Sequence, residues 1–220
     1  AGGSSASSLG ALVADGVADE AQVRSLVRFL ENCPQPTPSA RALSASYWCS
    51  AERALGDPGN VVEAIAGILL RRPDVRAALG EVSGVEWWWQ DVDHNDPPKV
   101  YHTDQNVWLE DDGSSTRRYP DWASVLYLTE GGGPTAVFWK QDALAVMPRP
   151  GRYLLFPGDR PHGVLHSLQE GSFDRLTLLL NWWRQRPPGI AEVPQLPSEV
   201  AIDGNFASQP SEAEAAAIGA

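Results

Sequence analysis

Short β-type runs separated by turn clusters fill the middle of this chain and constrain its fold more than any other feature. Between residues 83 and 186 lie eight of the nine tryptophans and all four histidines. Clusters such as Asp96-Pro97-Pro98 and Gly131-Gly132-Gly133-Pro134 interrupt the runs, as turns do. The candidate strands are residues 84–91, 99–103, 106–109, 122–129, 135–139, 151–156, 162–166 and 174–183. Eight short strands separated by turn clusters predict a β-sandwich or barrel.

The flanking segments are expected to support this core, residues 83–186, within one domain of 220 residues. Residues 17–82 are predicted to be helical, because apolar residues repeat at helical spacing between Val23 and Leu30. Residues 1–16 are rich in Gly, Ser and Ala and are expected to be flexible. Residues 187–220 hold five prolines, five acids and no Lys or Arg, which predicts a strap or a loose tail. The predicted fold class is α+β, mainly β, with an N-terminal helical layer packed on one sheet.

Composition and charge exclude several classes of partner. The 17 basic and 28 acidic residues give a net charge of −11, which argues against a protein held on nucleic acid by phosphate neutralisation. No run approaches the roughly 18 apolar residues that a membrane span requires. Two cysteines are too few for a disulfide framework and leave the redox compartment undetermined. We expect a soluble, cytoplasmic protein, and the sequence does not fix its oligomeric state.

The last predicted strand has two unlike faces. Alternation places an apolar row on one face, made of Leu176, Leu178, Leu180 and Trp182. This row suits contact with the helical layer. The other face carries Arg175, Thr177 and Asn181 among apolar neighbours and would then point into the sandwich. Because an unpaired buried charge destabilises a fold, Arg175 on that face requires a partner or a ligand.

Two histidines and one carboxylate have the spacing of a metal site. His102 and Asp104 stand at i and i+2 on a β-forming stretch, so both side chains leave the same face. His162 is a second imidazole, and two histidines with one carboxylate form the facial triad of non-haem Fe(II) oxygenases. Arg175 follows, with Thr177 two residues later. A forked guanidinium beside a hydroxyl is suited to hold the far carboxylate of a dicarboxylate co-substrate.

Each histidine position has a competitor. A second pair of the same spacing, His94-Asn95-Asp96, lies in a polar turn, whereas His102 follows the better strand Lys99-Val100-Tyr101, so the sequence favours His102. His166 lies four residues after His162, and in an extended chain both would share one face. Alternation therefore leaves His162 and His166 both open.

The order of these motifs resembles a known family. The matching features are His102-Thr103-Asp104, the tyrosine strand Val125-Leu126-Tyr127-Leu128-Thr129, the turn Gly133-Pro134-Thr135, the segment Phe156-Pro157-Gly158-Asp159-Arg160-Pro161-His162-Gly163-Val164 and the strand Arg175-Leu176-Thr177-Leu178. Over roughly residues 84–184 they are similar to the 2-oxoglutarate/Fe(II)-dependent oxygenases of the prolyl-4-hydroxylase-like type, whose fold is a double-stranded β-helix (jelly roll). The nearer resemblance is to an uncharacterised subgroup with a WWxQ strand, here Trp87-Trp88-Trp89-Gln90.

The resemblance implies a ligand set and a reaction. His102, Asp104 and His162 would bind Fe(II), His162 being favoured over His166 because His162-Gly163-Val164 matches the family pattern. Residues Arg175, Thr177 and Tyr127 would bind 2-oxoglutarate. Dioxygen would be the oxidant and ascorbate a stimulant. The expected outcome is hydroxylation of an unactivated C–H bond of a small molecule or an amino-acid side chain, with succinate and carbon dioxide as co-products.

The same resemblance bears on substrate and on rival functions. A carboxylate at Asp104 argues against halogenation, since related halogenases leave that position to a halide. The residues expected to line the substrate mouth are Trp87, Trp89, Gln90, Asn106, Trp108 and His166. The rivals are a prolyl hydroxylase acting on protein, a catalytically silent jelly-roll binding module, and a cupin-like metalloenzyme that does not use 2-oxoglutarate.

Overall fold

A computed structural model describes residues 9–36, 45–92, 100–109, 114–167, 174–193 and 206 of the chain. Within these ranges the chain is mostly β-sheet, with four helices. The strands are β1 (Leu12–Ala14), β2 (Tyr47–Ser50), β3 (Gly84–Val92), β4 (Asn106–Leu109), β5 (Ser115–Arg118), β6 (Trp122–Tyr127), β7 (Thr135–Trp139), β8 (Asp142–Val146), β9 (Tyr153–Pro157), β10 (His162–Val164), β11 (Arg175–Trp183) and β12 (Ala191–Glu192). The helices are α1 (Glu20–Asn32), α2 (Ala51–Leu55), α3 (Val61–Arg71) and α4 (Pro73–Leu79).

A seven-stranded sheet forms the larger layer, in the order β1-β9-β6-β11-β3-β2-β12. Strand β11 lies at its centre and pairs antiparallel along its whole length with β3, from Arg175 opposite Val92 to Trp183 opposite Gly84. On its other side β11 pairs antiparallel with β6. The residues of β11 are therefore held by main-chain hydrogen bonds on both sides.

A three-stranded sheet, β10-β7-β8, packs against one face of the larger sheet. The contact is a buried apolar cluster in which Val125, Leu154 and Phe156 of the large sheet meet Val137 and Val146 of the small one. Two packed sheets with these strand lengths are consistent with the predicted jelly roll.

Helical residues share a second apolar cluster with the opposite face of the large sheet. In this cluster Leu26 of α1 and Ile65 of α3 pack with Leu178, Leu180 and Trp182 of β11. Both helices begin at clear caps. The side chain of Asn60 accepts hydrogen bonds from the first-turn amides of α3, and Asp19 forms a capping box with α1. No helix in the described part of the chain is long and apolar enough to cross a membrane.

Several predicted boundaries differ from the structure. The expectation that residues 1–16 are flexible is wrong for Leu12–Ala14, which form β1 and pair with β9. Tyr47–Ser50 form a strand inside the segment predicted to be helical. Of the described residues 100–103 in the predicted strand 99–103, only His102 makes a bridge, and Val100 is 81% exposed. The sequence analysis missed strand β8, whose side chains are mostly exposed and whose two alanines have low β propensity. This strand is therefore stabilised by its hydrogen bonds to β7 rather than by the intrinsic preference of its residues.

We predict that Leu180→Ala strongly destabilises the protein. Leu180 is fully buried at the contact between the central strand and the helices, so its truncation leaves a cavity and lowers the free energy of unfolding by about 3 kcal/mol. Urea denaturation measures the change. The matched control is Leu55→Ala, since Leu55 is 42% exposed and its truncation should change stability by less than about 1 kcal/mol. Equal losses in the two variants would contradict this account of the core.

Candidate functional site

Two histidines are joined through the main chain. The amide of His102 donates to the carbonyl of His162 at 2.9 Å, and the amide of His162 donates to the carbonyl of His102 at 2.8 Å. This reciprocal bridge attaches an otherwise irregular segment to β10. The centres of the two imidazole rings consequently lie 4.5 Å apart.

Each imidazole also hydrogen-bonds to a carbonyl two residues before it. Nδ1 of His102 lies 2.9 Å from the carbonyl oxygen of Val100, and Nδ1 of His162 lies 3.0 Å from that of Arg160. A carbonyl only accepts hydrogen bonds, so each Nδ1 is the protonated nitrogen. Nε2 of each ring therefore faces Asp104 and is the nitrogen that would bind a metal ion.

Asp104 completes a cluster of three ligand atoms. Its Oδ1 lies 3.5 Å from Nε2 of His102 and 3.6 Å from Nε2 of His162. The three ligand atoms all lie within 4.8 Å of one another, close enough to converge on one ion. Two neutral imidazoles and one carboxylate are the donor set of non-haem Fe(II) sites, so these residues fit that metal.

The electrostatics of the cluster keep the carboxylate deprotonated. Burial raises the pKa of Asp104, but the adjacent imidazoles of His102 and His162 outweigh burial and hold this pKa below its ordinary value. Asn181 of β11 hydrogen-bonds to Asp104 and acts in the same direction. Burial also lowers the pKa of His162, against the opposing effect of Asp104. Both shifts favour the deprotonated forms that a metal ion requires.

A buried guanidinium lies in the same region. Arg175 is 3% exposed, and its Nη2 donates to the hydroxyl of Thr135 at 2.8 Å. Its guanidinium carbon lies 5.5 Å from the ring centre of Tyr127. In the described part of the chain, Nε of Arg175 has no hydrogen-bond partner and no carboxylate lies within ion-pair distance. Such a buried, unpaired cation is stabilised by binding an anion.

One cavity connects the guanidinium with the three metal-ligand candidates. We call it the Arg175 cavity, and it holds about 30 Å³. Its lining consists of Trp88, Gln90, His102, Asp104, Val125, Thr135, His162, Gly163, Val164, Arg175 and Leu179. The arrangement can therefore bind a metal ion at one end and an anionic group at the other.

Thr177 and Tyr127 lie beside this cavity without lining it. Thr177 is fully buried on the same face of β11 as Arg175, and within the described residues its hydroxyl has no partner. Tyr127 is also fully buried, and its hydroxyl donates to the carbonyl of Val146 at 3.3 Å. Burial raises the pKa of Tyr127, so its phenol is neutral. Its contact with the site is the packing of its ring against the guanidinium of Arg175.

A second cavity adjoins the first. We call it the Asn106 cavity, and it holds about 100 Å³. Its lining consists of Glu86, Trp88, Asp104, Gln105, Asn106, Pro120, Asn181 and Trp183. Because Asp104 and Trp88 line both cavities, they form the wall between them.

The expectation that Trp87 and Trp89 line the substrate mouth is wrong. Trp87 is fully buried against the helical side, with its ring centre 5.1 Å from that of Tyr47 and 6.4 Å from that of Phe29. The ring of Trp89 lies 6.3 Å from that of Trp87 on the same side. Side chains alternate along a strand, so Trp88 faces the cavities instead.

The other expected substrate residues divide between the cavities and their surroundings. Gln90 lines the Arg175 cavity and Asn106 lines the Asn106 cavity. Trp108 lines neither, because it packs with Trp183 and beneath the guanidinium of Arg118, which lies 4.1 Å above its ring. His166 is exposed and also lines neither cavity. The rival pair His94-Asn95-Asp96 lies outside the described residues.

Sequence reasoning gave no role in the site to Trp88, Thr135 or Asn181. Alternation had already placed Asn181 on the inward face, and it also indicates Trp88. Asn181 shares the face of Arg175 on β11, and Trp88 pairs with Leu179 of that face. Thr135 lies on β7 opposite Val164 of β10, and only the packing of the small sheet on the large sheet brings its hydroxyl to Arg175.

Comparison with known proteins gives the fold. The sequence matches no protein-family model and no curated protein. A prolyl-4-hydroxylase structure from Pseudomonas putida is 21% identical with a TM-score of 0.51, covering 82% of this chain and 96% of that one. HygX from Streptomyces hygroscopicus, with nickel and 2-oxoglutarate bound, is 18% identical with a TM-score of 0.51, covering 85% and 86%. A 2OG-Fe(II) oxygenase family oxidoreductase from Burkholderia pseudomallei is 12% identical with a TM-score of 0.50, covering 86% and 91%. This chain therefore has the fold of these oxygenases.

Proposed function

We propose that this chain is an Fe(II)- and 2-oxoglutarate-dependent dioxygenase that hydroxylates an unactivated C–H bond of a small molecule or an amino-acid side chain. One observation carries the proposal. The cavity that holds two imidazoles and a carboxylate within 4.8 Å of one another also holds a buried guanidinium with no carboxylate partner among the described residues. A ligand that binds metal at one end and carries a carboxylate at the other satisfies both requirements.

Three of these residues would hold the metal ion. They are His102, Asp104 and His162, and their hydrogen bonds to main-chain carbonyls and to Asn181 fix their orientation. When bound, Fe(II) and 2-oxoglutarate supply oxidative decarboxylation by dioxygen, which yields succinate and carbon dioxide and provides the oxidant for C–H hydroxylation.

Arg175 would bind the distal carboxylate of 2-oxoglutarate. Its donation to Thr135 fixes one edge of the fork and leaves Nε for the ligand. The hydroxyl of Thr177, which is buried on the same face, would donate a further hydrogen bond to this carboxylate, and Tyr127 would support the guanidinium through its ring. Burial of this end excludes water and strengthens the ion pair.

Ligand binding requires some movement of the cavity wall. A cavity of about 30 Å³ is too narrow for a five-carbon keto acid. The partly exposed side chains of Trp88, Gln90 and Val164 line it, so these residues would move apart as the ligand enters.

The test is turnover of 2-oxoglutarate by the full chain with Fe(II), dioxygen and ascorbate. We expect succinate formation, and mass spectrometry of a substrate library should find a product heavier by one oxygen atom. Metal binding without succinate would identify the catalytically silent module instead. Metal-dependent turnover that does not require 2-oxoglutarate would identify the cupin-like enzyme.

We predict that His102→Ala, Asp104→Ala and His162→Ala each abolish succinate formation and weaken Mn(II) binding measured by calorimetry. Each variant removes one of the three candidate metal ligands found among the described residues. The controls are His166→Ala, which alters an exposed imidazole outside both cavities, and His94→Ala. Both controls should keep most of the activity. An inactive His94→Ala with an active His102→Ala would overturn the ligand assignment.

We predict that Arg175→Ala raises the KM for 2-oxoglutarate by well over tenfold, with a smaller effect on kcat. The variant removes a charged donor that would hold the distal carboxylate of 2-oxoglutarate. Because this contact would be the same in the ground state and in the transition state, its loss should raise KM more than it lowers kcat. Arg149→Ala is the control, because the Arg149 side chain is largely exposed and should leave this KM unchanged. An unaltered KM in Arg175→Ala would remove Arg175 from the co-substrate site.

We predict that Gly132→Ala weakens 2-oxoglutarate binding about fivefold or more. A Cβ at Gly132 would lie 2.7 Å from Cδ of Arg175 and 2.8 Å from its Cβ, so the arginine stem must shift. Gly16→Ala is a matched control, because both glycines have positive φ, at 82° and 65°, but a Cβ at Gly16 meets open space. Calorimetric titration of the Mn(II)-loaded protein under nitrogen measures the affinity. Equal affinities in the two variants would contradict the packing argument.

A further inference from the structure

We propose that the Asn106 cavity is a subsite for a neutral amide group. Asn106 would recognise this amide by donating one hydrogen bond to it through Nδ2 and accepting one from it through Oδ1. The identification of that amide with part of the oxidised substrate rests on the proposed function. The binding site itself is argued from the residues of the cavity alone.

The carboxamide of Asn106 is buried and unpartnered. The residue is 5% exposed, and within the described part of the chain neither its Nδ2 nor its Oδ1 has a hydrogen-bond partner. Buried polar side chains are almost always hydrogen-bonded, because an unpaired donor or acceptor destabilises the fold. Since both atoms lack partners, this conclusion does not depend on which way the carboxamide is turned.

The unpaired atoms define the chemistry of the ligand. A carboxamide presents a donor and an acceptor side by side, so its best partner presents an acceptor and a donor at the same spacing. An amide does so, whether as a lactam, as a primary carboxamide or as one residue of an extended peptide. A carboxylate offers only acceptors and an ammonium only donors, so each would leave one atom of Asn106 unpaired.

The charges around the cavity disfavour an anionic ligand. The described lining contains the carboxylates of Glu86 and Asp104 and no Lys, Arg or His. Both carboxylates are already engaged. Glu86 accepts from the hydroxyl of Ser46 at 2.7 Å and from the indole Nε1 of Trp183 at 3.0 Å, and Asp104 belongs to the metal-ligand cluster. A neutral group satisfies Asn106 without adding a charge to this surface.

The shape and place of the cavity fit one small group beside the metal site. About 100 Å³ accommodates a few non-hydrogen atoms, and Trp88 and Trp183 give it apolar walls. The cavity shares Asp104 and Trp88 with the Arg175 cavity. A ligand held here therefore lies next to a metal ligand and leaves the space beside Arg175 open.

Fragment binding to the full chain tests the proposal without iron or 2-oxoglutarate. The probes are 2-pyrrolidinone and γ-butyrolactone, which differ by one N–H donor, and the readout is the tryptophan indole signals in NMR titrations. We expect the lactam to bind about fivefold more tightly than the lactone, and Asn106→Ala to remove this preference. The control Asn32→Ala, at an exposed helix end, should keep it. Equal binding of the two probes, or an unchanged preference in Asn106→Ala, overturns the proposal.

A second variant separates recognition from a structural role. Asn106→Leu replaces an unpaired polar group by an apolar one of similar size, so we expect the Tm of the unliganded protein to rise by about 2–4 °C. The same variant should lose the preference for 2-pyrrolidinone. A fall in Tm would mean that the carboxamide stabilises the fold and would overturn the argument.

Further probes identify the source of the amide and separate this proposal from the proposed function. Tightest binding of acetamide, 2-pyrrolidinone or N-acetylglycine methylamide would identify a primary carboxamide, a lactam or a peptide, respectively. Acetate or methylammonium binding more tightly than all three would overturn the proposal. Since neither iron nor 2-oxoglutarate is present, a failure to form succinate would leave the fragment result intact, and the reverse also holds.

Discussion

The reciprocal hydrogen bonds between the main chains of His102 and His162 are the contact on which the site depends. They join a segment without regular structure to the edge of the small sheet and bring two imidazoles side by side. The carbonyls two residues before each histidine then fix which ring nitrogen carries the proton. The main chain thus sets both the distance between the two candidate nitrogen ligands and their tautomer, and Asp104 lies where it can supply a third ligand atom.

The two faces of strand β11 contribute to different parts of the protein, one to the apolar core and the other to the candidate site. One face contributes Leu178, Leu180 and Trp182 to the helix-covered core. The other carries Arg175, Thr177 and Asn181, all buried and all beside or within the two cavities. Buried polar groups that lack partners destabilise the fold, and the apolar burial on the reverse face of the same strand offsets that loss.

Much of this arrangement could be predicted from the sequence where a local rule applies. Alternation along β11 predicted its two faces, and the spacing of His102 and Asp104 predicted that they share a side. The predictions failed where alternation was not applied, or where a contact depends on how two sheets pack together. Trp87 and Trp89 were grouped with Gln90 although alternation puts them on the opposite face. The contact of Arg175 with Thr135 depends on how two sheets pack, which no local pattern encodes.

The full-length pairing of β11 with β3 on one side, and its pairing with β6 on the other, has a consequence for how the interior is reached. Main-chain amides in the middle of a wide sheet exchange with solvent only on rare, large openings, whereas short outer strands open often. The guanidinium is therefore carried by a strand that is paired on both sides and is expected to open only rarely. The three-residue strand that carries His162, with the irregular stretch bridged to it, is the compliant side. The wall that carries the imidazoles is therefore expected to open more readily than the strand that carries the arginine.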